Sequence, residues 1–388
     1  MTNNLSTEPH NPQPTTATSP DAQIPGPRVR IGSPTAILAI VPALLGFEPG
    51  RSFVVIGADQ PRGRVRVTLR FDLPDPCGPG RAAEIADGAV GVLSAQRITT
   101  AVAVGYGSDE AVSPVASALR KSARDARITL TELLRVSDQR YWSYMCTDPE
   151  CCPPEGTAFD ITDHPVARAM SIEGRQVLAS RDELRATLAA ADGDTAEAMR
   201  RAVSHAEEQV AGYVARVTRI GHRIAGRRLT AAIGRLMVAE AIGRYQAGET
   251  IGTELAAWLT VALRDVRVRD DAWARMLPEH RAAHRRLWTD LTRLAQPGYV
   301  SAPASLLAFV AWQSGDGALA NLALDRALAD NPRYSMARLL RQALDSGAPP
   351  FLARLPMTPE EVAASYDAID TGDEDAAQTV RAGEAGCL

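Results

Sequence analysis

Three of the chain's five cysteines lie within seven positions, in the segment RYWSYMCTDPECCPPEGT (140–157). Cys146 and Cys151 are separated by four residues, close to the usual interval between zinc-binding thiolates, and His164 follows Cys152 by twelve positions. Neighbouring residues of an extended backbone send their side chains to opposite faces, so Cys151 and Cys152 are not expected to bind one ion. The metal hypothesis therefore uses Cys146, one member of the pair, His164 and an acidic fourth ligand. The acidic residues available are Asp148, Glu150 and Glu155.

Three interpretations compete with a metal site. A vicinal disulfide is disfavoured because neighbouring Cα atoms lie ~3.8 Å apart, below the ~4.4 Å that a bridge normally needs. The interpretation that the sequence favours is a turn stiffened by Pro153 and Pro154, whose small thiols pack inward under aromatic side chains. Those aromatic residues are Tyr141, Trp142 and Tyr144. A reactive thiol is a further alternative, although no neighbouring group predicts a lowered pKa.

A second candidate lies on the alternating segment RVRVTLRF (64–71), which predicts a strand with one apolar and one basic face. Guanidinium groups two residues apart can bind a carboxylate or phosphate. The alternative is that these arginines bind nothing and only form the solvent-exposed face of a half-buried strand. One hypothesis places a ligand pocket between this strand, with Arg70 and Asp72 orienting the ligand, and the cysteine segment. Its candidate residues are Arg64, Arg66, Arg70, Asp72, Tyr141, Trp142 and Glu155.

Arg216, Arg219, Arg223 and Arg227 recur at helical spacing and predict a basic stripe. Such a stripe can meet a phosphate backbone or an acidic partner, such as the chain's own C-terminal tail. A net charge of −4, an aromatic content of 5% and the lack of a base-reading motif make nucleic acid an unexpected partner. The sequence also lacks a phosphate loop, a dinucleotide fingerprint and the HExxH and GxSxG motifs, so no catalytic residue is assigned.

The elements that must position these residues fall into two regions. Residues 29–165 predict a helix after Ser33-Pro34, then elements in the order ββαβαβ, typical of a mixed α/β sheet covered by helices. The strands are expected at 52–58, 64–71, 98–106 and 128–136, and the helices at about 80–96 and 111–126. Residues 178–366 predict an all-helical domain, with a capping box at SRDE (180–183).

One part of the helical region, residues 305–344, is similar to a single tetratricopeptide repeat. Two helices meet at Gly315-Asp316-Gly317, Ala320 and Ala327 allow close approach, and Pro332 ends the second helix. No second copy occurs at a fixed interval, so a regular solenoid is not predicted. The neighbouring helices must then cover the apolar face of this pair.

Composition sets the remaining limits. The 388 residues allow two domains, and 45% hydrophobic with 23% charged residues is ordinary for a globular protein. Residues 1–28 are polar and proline-rich and predict a disordered tail, and residues 367–388 predict an acidic flexible tail. The longest apolar stretch, 36–47, is too short to span a bilayer, so no membrane is expected. An odd number of cysteines without a secretory signal favours a cytoplasmic location.

Four ordered segments resemble an actinobacterial family known only as a domain of unknown function, DUF4192. These segments are LLGFEPGRSFVVIG (44–57), LRFDLP (69–74), RYWSYMCTDPECCPPEGT (140–157) and LLAFVAWQSGDGALANLALDRALADNPRYSMARLL (306–340). The resemblance covers most of residues 31–350 and implies a cytosolic actinobacterial protein. It brings no activity, cofactor or catalytic residue with it.

The sequence thus predicts a non-enzymatic protein-interaction or regulatory module that uses its repeat-like helices to bind a protein partner. The alternative is a ligand-binding protein or enzyme with a pocket between the sheet and the cysteine segment, dependent on zinc. No cofactor is expected under the first hypothesis. Under the second, the metal ligands come from Cys146, Cys151, Cys152 and His164.

Overall fold

A computed structural model describes residues 33–58, 65–165, 168, 177–219, 223–348 and 357–371. The predicted N-terminal tail (1–28) and the candidate Arg64 lie outside the described residues. The predicted C-terminal tail (367–388) is described only up to residue 371, and that part is helical.

The N-terminal region is built on a mixed six-stranded sheet, which confirms the predicted class. In chain order its elements are α1 (Pro34–Leu45), β1 (Ser52–Ala58), β2 (Val65–Asp72), α2 (Pro79–Ala95), β3 (Thr100–Tyr106), α3 (Asp109–Asp125), β4 (Thr129–Ser137), β5 (Arg140–Ser143) and β6 (Thr157–Ala158). The strand order is β2-β1-β3-β4-β5-β6, and β3 and β4 are the parallel pair. β5 and β6 were not predicted from the sequence.

Helices cover both faces of this sheet. α2 and α3 pack on one face, where Phe53 of β1 is fully buried, and α1 packs on the other, where Val54 is fully buried. Because β1 is buried on both faces, its sequence is continuously apolar instead of alternating. Local signals set the ends of α1: the Ser33 hydroxyl accepts a hydrogen bond from the Ala36 N–H at 3.2 Å, and Gly46 ends the helix with φ of 78°.

The rest of the described chain is helical, as predicted. Its helices are α4 (Arg181–Ala186), α5 (Gly193–Arg219), α6 (Arg223–Gln246), α7 (Thr253–Ala262), α8 (Val266–Ala274), α9 (Arg281–Leu294), α10 (Ser301–Gln313), α11 (Gly317–Asp330), α12 (Ser335–Asp345) and α13 (Pro359–Thr371), with a 3₁₀ turn at Pro278–His280. The predicted capping box starts α4, where the Ser180 hydroxyl accepts from the Glu183 N–H.

A single apolar core joins the two regions. Ile37 of α1 and Val54 of β1 belong to the same buried cluster as Trp288 of α9 and Phe309 of α10. Residues of α1 and β1 are therefore part of the same apolar core as the helical region. The domain boundary at residues 165–178 stays a prediction, since the region around it is only partly described.

Candidate thiol metal site

The cysteine segment forms the loop between β5 and β6, at one edge of the sheet. Tyr141 of β5 pairs with Thr157 of β6, so the loop leaves and returns to neighbouring antiparallel strands. Ser143 at the end of β5 starts the loop: its hydroxyl accepts from the N–H groups of Met145 and Cys146 at 3.1 and 3.2 Å, and donates to a Glu132 carboxylate oxygen at 2.7 Å. The direction of the chain into Cys146 is thus set by the sheet.

The Sγ atoms of Cys146, Cys151 and Cys152 all lie within 4.8 Å of one another. Cys146 and Cys152 are half-buried and Cys151 is exposed, and all three are free thiols. Three sulfurs that bind a zinc ion tetrahedrally at ~2.3 Å lie ~3.8 Å apart. The thiols therefore need to move by no more than about 1 Å to meet that geometry.

The expectation that Cys151 and Cys152 could not face the same point is wrong, and the backbone explains why. It assumed an extended chain, whereas the Cys152 N–H donates to the Asp148 carbonyl oxygen at 2.7 Å and closes a turn of helical type. Successive side chains in such a turn are rotated by about 100° instead of 180°. Both sulfurs can therefore point to the side on which Cys146 lies.

The returning half of the loop is fixed to β5 by backbone contacts. The Trp142 indole N–H donates to the Pro154 carbonyl oxygen at 2.9 Å, and the Arg140 guanidinium donates to the Gly156 carbonyl oxygen at 2.7 Å. Gly156 has φ of 79°, and a Cβ there would lie 2.5 Å from the Trp142 ring. The guanidinium carbon of Arg135 lies 3.6 Å from the centroid of the Trp142 ring, in a cation–π contact. These contacts hold the loop closed over β5.

Cys146 and Cys152 differ in how readily they lose their protons. A hydrogen bond with the Cys152 side chain lowers the pKa of Cys146, helped by a backbone hydrogen bond at Asp148. The same hydrogen bond, together with burial, raises the pKa of Cys152 to about 12. Cys146 therefore loses its proton before Cys152 and is the better nucleophile of the two.

His164 is not part of this sulfur cluster. Among the described residues, the group whose ligand atoms lie within 4.8 Å of one another consists of the three cysteines. The His164 N–H donates to the Ile161 carbonyl oxygen at 3.1 Å, and His164 lies six residues past the end of β6. Glu155 is exposed, and its carbonyl oxygen accepts from Arg140 at 3.3 Å. The role of either residue as a ligand stays a prediction.

The other predicted ligand residues do not meet the cysteine loop. Arg70 and Asp72 lie on β2, at the opposite edge of the sheet from β5, with β1, β3 and β4 between. Four strand spacings correspond to about 19 Å. Arg70 pairs with Asp72 at 2.8 Å and lies 5.7 Å from the Phe47 ring centroid. A pocket formed jointly by β2 and the cysteine loop is therefore not supported.

Of the remaining candidates, Arg66 is exposed on β2, whereas Tyr141 and Trp142 do lie beside the loop. They project to opposite faces of β5 because they are consecutive. Tyr141 packs on the core shared with α1, with its ring centroid 6.2 Å from that of Phe159. Trp142 contacts the loop itself.

Sequence inspection missed Ser143, Arg135 and Glu132 as residues that position the loop. A serine three residues before Cys146 is the available signal, since a hydroxyl there commonly accepts from backbone N–H groups of a turn. The contribution of Glu132 and Arg135 depends on the pairing of β4 with β5, which local patterns do not specify.

The basic stripe is divided between two helices. α5 ends at Arg219 and α6 begins at Arg223, with residues 220–222 outside the described chain. Arg228, beside the stripe, donates to the Asp367 carbonyl oxygen at 2.9 Å and lies 3.4 Å from its carboxylate. This contact joins Arg228 to the start of the predicted acidic tail, and the partner of the stripe itself stays a prediction.

The fold and loop together define a protein with a mixed α/β sheet, a three-thiol loop at the sheet edge and a helical C-terminal region. The chain belongs to the family described as a domain of unknown function, DUF4192, whose model matches residues 34–351. No curated protein and no solved structure matches it. In the part of the chain that the structure describes, no helix combines the length and apolarity that crossing a membrane requires.

Proposed function

We propose that this protein binds zinc, or a chemically similar thiophilic cation, through Cys146, Cys151 and Cys152. The observation that carries the proposal is the approach of their three Sγ atoms to within 4.8 Å of one another. A disulfide would use two of these sulfurs and leave the third without a role, whereas a soft cation uses all three. Each thiol gives up its proton on binding, so binding releases protons and weakens as the pH falls.

In this proposal the ion has a structural and regulatory role and takes part in no catalytic reaction. β6 has only two residues and ends the sheet, so the loop before it is the main constraint on that edge. An ion held by three loop side chains would fix the loop and protect the exposed strand edge from pairing with other chains. The fourth coordination position is filled by water or by a side chain recruited on binding, for which His164 is the predicted candidate.

Metal content tests this directly. Protein purified under reducing conditions and titrated with zinc should bind one ion per chain, measured by mass spectrometry of the metal and by the sulfur-to-metal charge-transfer band with cobalt. Changing Cys146, Cys151 or Cys152 to Ser should weaken binding at least about tenfold. Cys77→Ser is the matched control, because Cys77 is buried in the core between the sheet and α2.

Equal zinc binding by the wild type and the C146S/C151S/C152S variant would overturn the proposal. A free-thiol count on the same sample separates a disulfide from a metal site, since a bridge consumes two thiols and persists in the presence of a chelator. His164→Ala tests the fourth ligand on its own. Unchanged affinity in that variant assigns the fourth position to water.

The second part of the proposal is that the helical region binds a protein partner. α10 of the repeat-like pair is buried on nearly all sides, from Ser301 to Trp312, so it leaves little surface for a partner. The apolar residues that remain exposed include Leu229 and Leu236, seven residues apart on the same face of α6, and Leu236 is 72% exposed. This face of α6 supports an interaction better than the pair itself.

The matched test compares two identical substitutions in the full-length chain. Leu236→Glu places a charge on the α6 face, and Leu339→Glu places one on α12, where Leu339 is 36% exposed. Cross-linking followed by mass spectrometry should identify a specific partner that Leu236→Glu loses and Leu339→Glu keeps. A partner lost only with Leu339→Glu would favour α12, the helix that follows the repeat-like pair. Light scattering tells whether the partner is a second copy.

A further inference from the structure

The helical region contains a cavity of about 670 Å³ that lies apart from the cysteine loop. Four elements form it: the C-terminal half of α6, the end of α8 with the residues after it, α10, and the first turn of α13. This volume is within the range of small-molecule sites, and cavities between helices are common places for them. None of the residues assigned to the proposed metal site lines it.

The inner wall of the cavity is apolar and aromatic. Ile242, Met276 and Phe309 line it together with Trp273, and the Trp273 and Phe309 rings meet edge to face with their centroids 5.2 Å apart. Edge-to-face packing fixes both rings, so the wall is formed before a ligand arrives. Phe309 is 1% exposed and Met276 is 7% exposed, which places this wall at the core.

The charges at the rim favour an uncharged ligand over an anionic one. Among the described residues, the arginine that lines the cavity is Arg275, and it is neutralised by Asp271 with two hydrogen bonds of 2.6 and 3.0 Å. Glu360 and Glu361 lie at the same rim, and Glu361 accepts the Thr358 N–H at the start of α13. His280 is the remaining titratable group among the described lining residues. With histidine neutral, the described part of the rim carries an excess of negative charge.

The fourth wall comes from a helix beyond the part that defines the family. The family model ends at residue 351, whereas Met357, Thr358 and Pro359 line the cavity. α13 is fixed to α8 by a hydrogen bond from the Tyr366 hydroxyl to the buried carboxylate of Asp270. The cavity is therefore completed by a docked C-terminal helix.

We infer that this cavity binds an uncharged small molecule with an aromatic ring, packed against Trp273, whose ring is fixed by its edge-to-face contact with the buried Phe309. The inference goes beyond the proposed metal binding and does not depend on it. Recognition comes from burial of the ring and from the exclusion of anionic analogues by Glu360 and Glu361. Neither contribution requires the cysteine loop.

A matched pair of probes tests both the site and its charge preference. N-phenyl-1-naphthylamine is uncharged, and 8-anilino-1-naphthalenesulfonate is the same ring system with a sulfonate added. Titration of the full-length protein should give saturable fluorescence enhancement with one molecule of the uncharged probe per chain. The sulfonate should bind at least about tenfold more weakly, and Glu360→Gln should reduce that difference.

Ala239 provides a variant that fills the cavity. It is half-buried on α6 and lines the cavity, so Ala239→Phe should weaken binding of the uncharged probe at least about tenfold. Ala189→Phe is the matched control, since Ala189 is exposed and does not line the cavity. Circular dichroism checks that each variant is folded.

Energy transfer from tryptophan gives a readout that survives if Ala239→Phe does not fold. A probe beside Trp273 accepts its emission, so Trp273→Phe should lower the transfer, whereas Trp142→Phe, on the sheet, should have a clearly smaller effect. The other three tryptophans of the chain remain as donors in both variants. Binding that is insensitive to Ala239→Phe, transfer unchanged by Trp273→Phe, or equal affinity for the two probes would each overturn the inference.

Discussion

The indole N–H of Trp142 donates to the carbonyl oxygen of Pro154 at 2.9 Å, and this contact joins β5 to the returning half of the cysteine loop. The same ring lies against the backbone of Gly156. The positions of Cys151 and Cys152 thus depend on an aromatic residue about ten positions earlier in the chain. Substitutions that disturb this contact should alter the arrangement of the three thiols although no cysteine is replaced.

Gly156→Ala should destabilise the protein and weaken zinc binding. The new methyl group would meet the Trp142 ring at 2.5 Å, in addition to the cost of about 1–2 kcal/mol for a side chain at positive φ. Gly248→Ala is the control, because Gly248 also has a positive φ, 86°, but has no atom within 4 Å of the added Cβ. Chemical denaturation should show a clearly larger loss for Gly156→Ala. Equal losses would mean that Trp142 does not constrain the loop.

Alkylation should distinguish Cys146 from Cys152 in the metal-free protein. The pKa of Cys146 is lowered by its hydrogen bond with Cys152, and the pKa of Cys152 is raised to about 12, so iodoacetamide should modify Cys146 before Cys152. Peptide mass spectrometry at several pH values gives the order. The rate at Cys152 should rise tenfold per pH unit up to that pKa, because only the thiolate reacts.

A second variant tests the hydrogen bond between these thiols. The hydrogen bond with the Cys146 side chain is the largest cause of the raised pKa of Cys152. Cys146→Ser replaces that thiol, so the pKa of Cys152 should fall and Cys152 should react at lower pH. Cys77 is the internal reference: it is 4% exposed and should react only on unfolding. If Cys152 reacts first in the wild type, the assigned proton distribution is wrong.

His284 should make the protein less stable in mild acid. Burial lowers its pKa from 6.5 to about 4, and its ring Nε2 lies 3.0 Å from the Arg275 carbonyl oxygen. Because the folded pKa is below the unfolded one, the stabilisation is complete above pH 6.5 and is lost as the pH falls towards 4. The difference corresponds to about 3 kcal/mol over that window.

Urea denaturation at a series of pH values measures this contribution. His284→Gln should flatten the dependence between pH 6.5 and 4, whatever its effect on stability at neutral pH. His205→Gln is the control, since His205 is exposed on α5. The assignment to His284 fails if the two variants retain the same slope as the wild type.

Tyr366→Phe should lower the free energy of unfolding by about 2 kcal/mol, the scale of a hydrogen bond to a charged group. It removes the donor to Asp270, which is 6% exposed and paired with Arg269 at 2.5 Å. Tyr213→Phe on α5 is the control, because Tyr213 is 36% exposed. The same variant should also weaken binding of the uncharged probe, since it loosens α13. Unchanged stability would show that α13 is held by other contacts.

Local sequence patterns were sufficient for most of the elements. The helix after Ser33-Pro34, the strands near 52–58 and 100–106 and the capping box at Ser180 were all predicted within a few residues, because each depends on groups close together in the chain. β5 was missed because four residues, RYWS, show no alternation that distinguishes a strand from a turn. Its pairing with β4 supplies what its own sequence does not.

The candidate site was predicted in composition and mistaken in geometry. The three cysteines were identified from their spacing, yet the turn closed by the Cys152 N–H and the Asp148 carbonyl oxygen is not visible in that spacing. The apolar cavity was not predicted at all, since Ala239, Trp273 and Phe309 come from separate helices.

The sequence by itself determined the helices and most strands, the position of the thiols in the chain and the family to which the chain belongs. Each of these depends on residue types and on contacts within a few positions. Only the tertiary structure decided that Arg70 and the cysteine loop occupy opposite edges of one sheet, and that α13 closes a cavity. Strand order and helix docking depend on contacts between residues far apart in the chain, and burial of apolar surface selects among the possible arrangements. Local sequence patterns do not specify those contacts.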